Sequence, residues 1–484
     1  MKPHYARIRK VKTGSGETAV QVGFYRGKSF QLTRHIGSGK YPEKIEELVQ
    51  VAQEYVRSHN PQLSLNFNPQ SDEILFKRGM VVTDRTLAEA REYLEGVYCK
   101  IGFSRLDNTL LEHFAMIRVL EPASKIQSLV LLKKYFGISW GKTTAFRGLE
   151  QVVDLKTKAE AIAVSYARKH LNFDFSLVFY DVTTLYFETH IQDEFRRNGF
   201  SKDNKSQQPQ ILIALVVNRD GFPLCYDMFK GNTFEGKTFL PTVLAIKRIY
   251  HIDTLTVVAD AGMLSDDNIG ELETQGISYI VGARLGTLSQ AALADIAQAL
   301  DKTDGRIVQK DSVLYEYSAR RATKDRADND RALEKARYYL THPGKVLKRS
   351  PLLSTSGKKK FRLNQALIDK YRFREGIKGY RTNLTALPPE LVVARYRDLW
   401  KIEQSFRIAK SDLEARPIFH RKETSIKYHI LIVFIALCMA RVIEMETRES
   451  VKQVMDRLKD KWTLTIKDDI SGNTLKLTLD AIPH

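Results

Sequence analysis

Residues 175–181 read FSLVFYD, a nearly continuous apolar run that ends in an aspartate. Four further apolar runs follow it: ILIALVVN (211–218), FPLCYDMF (222–229), LTVVAD (255–260) and ISYIVGA (277–283). Short runs of this kind, bounded by turn residues, are typical of buried strands. Helical spacing at residues 239–250 and 265–275 separates the last three runs, so we predict the order βββαβαβ. We expect an α/β fold with a mixed sheet covered on both faces, in which the first three strands are antiparallel.

The chain on either side of this core divides into further predicted parts. Residues 1–72 begin with alternating runs and Gly turns, followed by helical spacing, which predicts a small β/α unit. Residues 73–172 have helical apolar spacing, which predicts a helical domain. Residues 447–484 contain two alternating runs, WTLTIKD and TLKLTLD, which favour a hairpin in a C-terminal tail. The core itself would occupy residues 173–284 and 391–446, with an insertion between them.

The insertion, residues 285–390, carries much of the positive charge of the chain. The whole sequence has 76 Lys and Arg against 57 Asp and Glu, a formal net charge of +19. Residues 301–390 contain 22 basic against 11 acidic residues, a net +11. Tyrosines interleave with these cations, and one loop carries Lys358, Lys359 and Lys360. We predict a β-rich lobe that grips a polyanionic backbone; a solvated insertion packed around its own tyrosines is the equal alternative.

Cysteine content and hydropathy exclude several classes of protein. Cys99, Cys225 and Cys438 lie far apart without a CxxC pair, which argues against a disulfide framework and against a cysteine-bound zinc. The longest apolar run, residues 430–440, is about half as long as a bilayer requires. We therefore expect no membrane span, no export signal and a reducing, cytoplasmic location.

Three acidic residues are the candidates for catalysis. Asp181 ends the first predicted strand, Asp260 ends the strand VVAD, and Glu403 lies in a later helical segment. Strand ends project side chains from a rigid edge, and carboxylates are the ligands that hard divalent ions prefer. Such a set can hold two ions that clamp the attacking and leaving oxygens of a phosphodiester. The alternative for each acid taken alone is a solvated carboxylate or a helix cap.

Polar side chains recur at helical spacing around Glu403. Tyr396, Glu403, Arg407 and Lys410 are separated by seven, four and three residues. We expect them to share one face of a continuous helix, because each separation is close to a multiple of 3.6. The apolar run ILIVFIALCMA that follows predicts a buried helix beneath this face.

Four sequence strings stand in order along the core. They are FYDVTTLYFE around Asp181, GNTFEGKTF at 231–239, VVADAGM around Asp260, and YRDLWKIEQSFRIAKSDLEARPIFHRKE at 396–423. These strings resemble those of DDE transposases of the insertion-sequence-four superfamily, and the last resembles its Tyr-Arg-Glu-Lys signature. The resemblance covers residues 174–446. It implies an RNase H-like core that is interrupted by a β-rich insertion.

The resemblance also implies a role for each candidate residue. Asp181, Asp260 and Glu403 would bind two divalent ions, Mg²⁺ or Mn²⁺. Lys410 would hold a phosphate near the cut, and Tyr396 would contact the same DNA backbone.

One position departs from the signature. Leu399 stands where its arginine belongs, four residues before Glu403. The phosphate contact of that arginine must therefore be absent or come from another residue. Lys401 and Arg407 are nearby, and Arg407 is the preferred substitute because it shares the face of Glu403.

The implied partner is double-stranded DNA, both the transposon ends and the target. Joining two ends at one target implies a homodimer on DNA, and a bacterial, nucleoid-associated protein is expected. By analogy, residues 1–72 are candidates for contact with a DNA end. Two alternatives stay open: a metal-dependent nuclease of the same fold with another cellular role, and a non-catalytic DNA-binding protein derived from a transposase.

Overall fold

The computed structural model describes residues 6–58, 80–200, 205, 207–262, 265–342, 350–356, 360–468 and 474–480. The chain forms two compact units. The first contains Met1–Arg91, Leu132–Ser139 and Asp456–His484, and the second contains Glu92–Leu131 and Trp140–Met455.

The described chain contains runs of strands and runs of helices. The strands are β1 (Arg7–Lys12), β2 (Thr18–Arg26), β3 (Ser29–Gly39), β4 (Met80–Thr86), β5 (Val178–Tyr186), β6 (Gln210–Val217), β7 (Pro223–Lys230), β8 (Thr256–Ala259), β9 (Ser278–Gly282), β10 (Ile307–Lys310), β11 (Val313–Tyr317), β12 (Leu353–Ser356), β13 (Lys360–Leu363), β14 (Ile377–Thr382), β15 (Lys461–Asp468) and β16 (Thr474–Asp480). The α-helices are α1 (Pro42–Ser58), α2 (Ala88–Ile101), α3 (Thr109–Leu120), α4 (Lys125–Phe136), α5 (Lys142–Gln151), α6 (Lys156–His170), α7 (Gly236–Ile249), α8 (Asp266–Thr274), α9 (Gln290–Leu300), α10 (Ala319–Thr341), α11 (Gln365–Phe373), α12 (Pro389–Arg397), α13 (Trp400–Arg407), α14 (Glu423–Thr447) and α15 (Val451–Lys459).

The first unit contains two small sheets. Strands β1, β2 and β3 form an antiparallel sheet, and side chains of β2 pack against α1 around Val20, Val22, Leu48 and Ala52. The second sheet joins β4 to the antiparallel hairpin β15–β16. Alternation in the sequence predicted this hairpin, but β4 stands in a stretch that was assigned to a helical domain. The predicted boundary at residue 72 lies outside the described residues.

The second unit is built on an eight-stranded mixed sheet. Its strand order is β10-β11-β14-β9-β8-β5-β6-β7. The β5–β6 and β6–β7 pairs are antiparallel, and β5, β8 and β9 run parallel. The predicted order βββαβαβ and the mixed α/β fold class are therefore confirmed. Every residue of β6 is buried, as expected for a strand covered on both faces.

The insertion differs from its prediction as a β-rich lobe. Helices α9, α10 and α11 contain more of its residues than its five strands do. Strands β10, β11 and β14 extend the main sheet, and among the described residues of the insertion only the β12–β13 hairpin forms a sheet of its own. The sequence of α10, ARRATKDRADNDRALEKARYYLT, is rich in the helix formers Ala and Arg. The interleaved cations and tyrosines favoured strands, but the helix propensity of this segment predicts the observed helix better.

Helix α14 is the apolar helix predicted beneath the Glu403 segment. It is long and apolar enough to cross a membrane, but 94% of its most hydrophobic window is buried inside the protein. It packs against α3, β7 and the chain that follows α13. Its apolar surface on all sides is thus explained by its position in a protein core.

Candidate active site

Strand pairing brings Asp181 and Asp260 together. In the parallel pair β5–β8, Tyr180 stands opposite Ala259, so the two aspartates occupy the next position of each chain. Paired positions in neighbouring strands are separated by about 4.8 Å. The sequence predicts Asp181 at the end of its strand, and this is wrong. Strand β5 continues to Tyr186 along β6. The edge that exposes Asp181 is made by the end of β8 instead.

Local contacts fix both aspartates. Asp181 Oδ1 accepts a hydrogen bond from the backbone N–H of Val182 at 2.7 Å. Asp260 Oδ1 accepts one from Ala261 N–H at 2.7 Å and another from the Tyr396 hydroxyl at 3.3 Å. These bonds leave acceptor capacity on the carboxylates, because an ionised carboxylate has about four lone-pair positions.

The GNTFEGKTF string supports Asp181 from behind. Tyr180, the residue before it, is fully buried, and its hydroxyl forms a 2.7 Å hydrogen bond with Thr238. The Tyr180 ring also packs edge-on against Phe239, with 4.9 Å between ring centroids. This string therefore stabilises the strand that carries the aspartate.

Tyr396 connects Asp260 to the segment that contains Glu403. Its ring is buried and packs edge-on against Tyr380 at 4.9 Å. Burial, then Asp260, then Glu403 raise the pKa of Tyr396, so its hydroxyl stays protonated and donates to Asp260. Gly282 allows this approach, since a Cβ atom there would stand 2.7 Å from the tyrosine oxygen.

The predicted continuous helix around Glu403 is wrong, because it is interrupted twice. Helix α12 ends at Arg397, and α13 begins at Trp400 after a turn. A π-helical turn, Ile408–Asp412, then follows α13 directly. A π turn changes the angular spacing of side chains, so Tyr396, Glu403 and Lys410 do not share one regular helical face. Hydrophobic spacing alone gives no signal for either interruption.

Helix α13 packs against β5 through its buried side. Ile402 and Ser405 are fully buried, and Ser405 Oγ donates a 2.7 Å hydrogen bond to the Gly221 carbonyl. Glu403 points away from this anchored side and is exposed. Within the described residues, no three His, Cys, Asp or Glu side chains gather closely enough to hold a metal ion. The aspartates are thus adjacent, while Glu403 stands on a neighbouring helix.

The other predicted site residues lie in different surroundings. Arg407 is exposed and forms a 3.6 Å ion pair with Asp412. Lys410 lies in the π turn and borders a small apolar cavity beside Thr183. Leu399 is buried in the turn before α13.

Most of the predicted lysine loop lies outside the described residues. Lys358 and Lys359 lie outside the described residues. Lys360 begins β13, and its side chain is also outside the description.

Sequence reasoning missed one residue near the site. Lys378, in β14, has its Nζ 4.5 Å from the ring centroid of Tyr396. Only the pairing of the insertion with the main sheet brings it there, so no local pattern could have identified it.

Comparisons with known proteins place this arrangement in a family. Among solved structures, the chain is similar to the piggyBac transposase synaptic complex with hairpin DNA: identity 11%, 73% of this chain and 70% of that chain covered, TM-score 0.35. It is also similar to the Mos1 transposase paired-end complex with left transposon end: identity 10%, coverage 48% and 72%, TM-score 0.17. The search of curated proteins found no similar sequence. The family model of the transposase DDE domain matches residues 172–439, which is more than half of the chain, and the protein therefore belongs to that family.

Proposed function

We propose that this protein cuts and joins the ends of its own insertion sequence by metal-dependent phosphodiester hydrolysis and strand transfer. The observation that carries the proposal is the β5–β8 register, which sets Asp181 beside Asp260. Helix α13, with Glu403, packs against the same strand. Membership of the transposase DDE domain family supports the same chemistry.

The donor atoms of the three candidate carboxylates suit two divalent ions, Mg²⁺ or Mn²⁺, although the described side chains do not form one closed cluster. Asp181, Asp260 and Glu403 offer only carboxylate oxygens, which are the ligands that these hard cations prefer. When bound, the ions would supply Lewis-acid activation of the attacking oxygen and charge stabilisation of the leaving oxygen. We propose that Glu403 moves towards the two aspartates when ions and DNA bind.

Three further candidate residues would orient the metal ligands and the DNA. Tyr396 holds Asp260 by its hydroxyl and keeps that carboxylate in one orientation. Lys410 and Arg407 would contact phosphates on either side of the cut, where each neutralised phosphate adds affinity for DNA. We propose that Arg407 replaces the signature arginine, whose position is occupied by Leu399 in this chain.

The insertion and the assembly complete the proposal. Lys358, Lys359 and Lys360 would add phosphate contacts from the insertion, whose charge from residue 301 to 390 is +11. A homodimer would hold two transposon ends at one target DNA. We propose that this occurs in the bacterial cytoplasm, in association with the nucleoid.

The test uses duplexes that carry the inverted repeats flanking the coding sequence. The full chain should bind them in EDTA, nick them when Mg²⁺ or Mn²⁺ is added, and join the new 3′ end to a target duplex. Binding without nicking would identify a DNA-binding protein, and nicking without joining would identify a nuclease. Either result would overturn the proposal of transposition.

A further inference from the structure

We propose that Lys378 and Arg321 form a binding site for one phosphate of the DNA strand that lies beside the candidate catalytic carboxylates. The inference deepens the proposed function and rests on it. It assigns the insertion a direct contact with DNA at the catalytic edge of the sheet, separate from the predicted loop at Lys358–Lys360.

The position of the Lys378 ammonium carries the argument. Its Nζ atom is 4.5 Å from the ring centroid of Tyr396 and 5.7 Å from that of Tyr380. Tyr396 in turn donates its hydroxyl to Asp260. The ammonium therefore lies against the aromatic residue that contacts a candidate metal ligand. Among the described residues, no hydrogen bond or ion pair joins this ammonium to an acceptor.

Both positive and negative side chains surround Lys378. Burial, followed by the neighbouring Arg321, lowers the pKa of Lys378. The carboxylates of Asp260, Glu316 and Glu403 act in the opposite direction. Lys378 is thus within electrostatic range of two of the three candidate catalytic acids, one in each part of the site.

Glu316 does not require Lys378 as its counter-ion. It stands opposite Lys378 in the β11–β14 pair, but it accepts a 2.7 Å hydrogen bond from the Tyr380 hydroxyl. It also forms an ion pair with Arg397. Because Glu316 has these two partners, Lys378 can bind a further anion without leaving this carboxylate unpaired.

Arg321 supplies the second cation from the first turn of α10. The backbone N–H of Ser318, at the start of this helix, donates a 2.8 Å hydrogen bond to the Gly376 carbonyl, two residues before Lys378. Ser318 caps this helix and accepts the backbone N–H of Arg321. The Arg321 side chain is about half exposed and has one ion pair, with Asp325 at 3.3 Å. A guanidinium with five N–H donors can keep this pair and still bind a phosphate oxygen. The positive end of the α10 dipole has the same sign.

A phosphate is the ligand that these features favour. A half-buried ammonium on aromatic rings has lost part of its hydration, and a charge-assisted hydrogen bond to an anionic oxygen restores it. A DNA strand that reaches Asp260 comes close to this lysine, because Tyr396 contacts both residues. Contacts of this kind fix the register of the strand without reading its sequence.

The test is a scan with methylphosphonates, each of which removes one phosphate charge. Full-length protein is titrated in EDTA with end duplexes that carry a single methylphosphonate at successive positions around the cut. In wild type, one position should weaken binding by about tenfold or more, as expected for a charge-assisted hydrogen bond. Lys378→Met should bind unmodified DNA more weakly and lose distinctly less than wild type at that position, where Arg321 still contacts the phosphate, while Lys378→Arg restores part of the affinity.

Lys335→Met is the matched control, because Lys335 also lies over a tyrosine, Tyr339, at 5.9 Å. It should leave the scan unchanged. The inference would be overturned if the losses from Lys378→Met and from the methylphosphonate added at every position, while the variant unfolded thermally like wild type. It would also be overturned if the protein bound none of the duplexes. The binding scan is read without cutting, so wild type that shows the Lys378 position but never nicks would refute only the proposed function.

Discussion

The two halves of the candidate site are held in contrasting ways. Asp181 and Asp260 follow paired residues of a central sheet, where backbone hydrogen bonds on both sides of β5 fix their separation. Glu403 lies in an eight-residue helix that begins at Trp400, after a break in the chain of helices, and that is followed by a π turn. The comparison teaches that one half is preformed by the fold, whereas the other can adjust when metal ions and DNA arrive.

The largest effect is expected on the preformed half. Asp181→Asn and Asp260→Asn each remove one negative ligand and keep the shape of the side chain. Cutting should fall by at least about 10²- to 10³-fold, the range for loss of one preorganised electrostatic group. Quantitative nicking assays in Mg²⁺ and Mn²⁺, together with gel-shift binding, measure this.

Asp253→Asn, at an exposed position before β8, is the control for the general effect of losing a carboxylate. It should cut normally. Full cutting by either site variant would show that the preformed half is not the metal site.

A smaller effect is expected at the bridge between the halves. Tyr396→Phe removes only the hydroxyl that donates to Asp260. Loss of a residue that orients a metal ligand reduces metal affinity or activity by about 10- to 100-fold. Nicking rates measured across a Mn²⁺ titration should therefore show a higher metal requirement.

Tyr380→Phe provides the comparison, because its hydroxyl donates to Glu316 instead. It should change the metal requirement less than Tyr396→Phe does. Equal effects of both variants would mean that the bridge acts through packing alone.

The chain that follows the π turn should make stability depend on pH. His429 Nε2 donates to the Ala415 carbonyl and its Nδ1 accepts from Lys125. Burial, then Lys125, then Arg118 lower the pKa of His420 from 6.5 to about 4. The folded state therefore favours neutral His420, and this stabilisation is present above pH 6.5 and is lost as the pH falls towards 4.

Thermal unfolding between pH 7.5 and 4.5 measures this dependence. His420→Gln should unfold with a smaller decrease in midpoint over that range than wild type. An identical pH profile would show that His420 does not stabilise the adjustable half.

The smallest effect is expected on the outer face of α13. Arg407→Gln should reduce the slope of log K against log salt by about 0.9, the value for one phosphate contact. Binding should weaken by a similar factor on all DNA sequences. Arg331→Gln, at another exposed arginine that pairs with an aspartate, should leave the slope unchanged. A wild-type slope in Arg407→Gln would remove this residue from the DNA contacts.

Local patterns in the sequence predicted the elements of the core but not their relations. The order βββαβαβ follows from short apolar runs and turn residues, which act over a few positions. The exposure of Asp181 depends on where β8 ends, and Lys378 reaches the site only because β14 pairs with β9. The π turn that carries Lys410 leaves no mark in residue periodicity. Long-range pairing and local helical irregularity therefore account for what the sequence did not predict.

The sheet that joins β4 to β15 has a consequence for synthesis of the chain. Thr83 Oγ1 in β4 donates to the Thr465 carbonyl in β15, across a separation of 382 residues. At ribosomal rates of about 5 to 20 residues per second, β4 waits about 20 to 75 s before its partner is made. During that interval the strand presents an open edge that begins with three apolar residues, Met80, Val81 and Val82, and is prone to mispairing. The first unit thus completes its fold only after β15 has been synthesised, and until then the nascent chain is the form most exposed to chaperones.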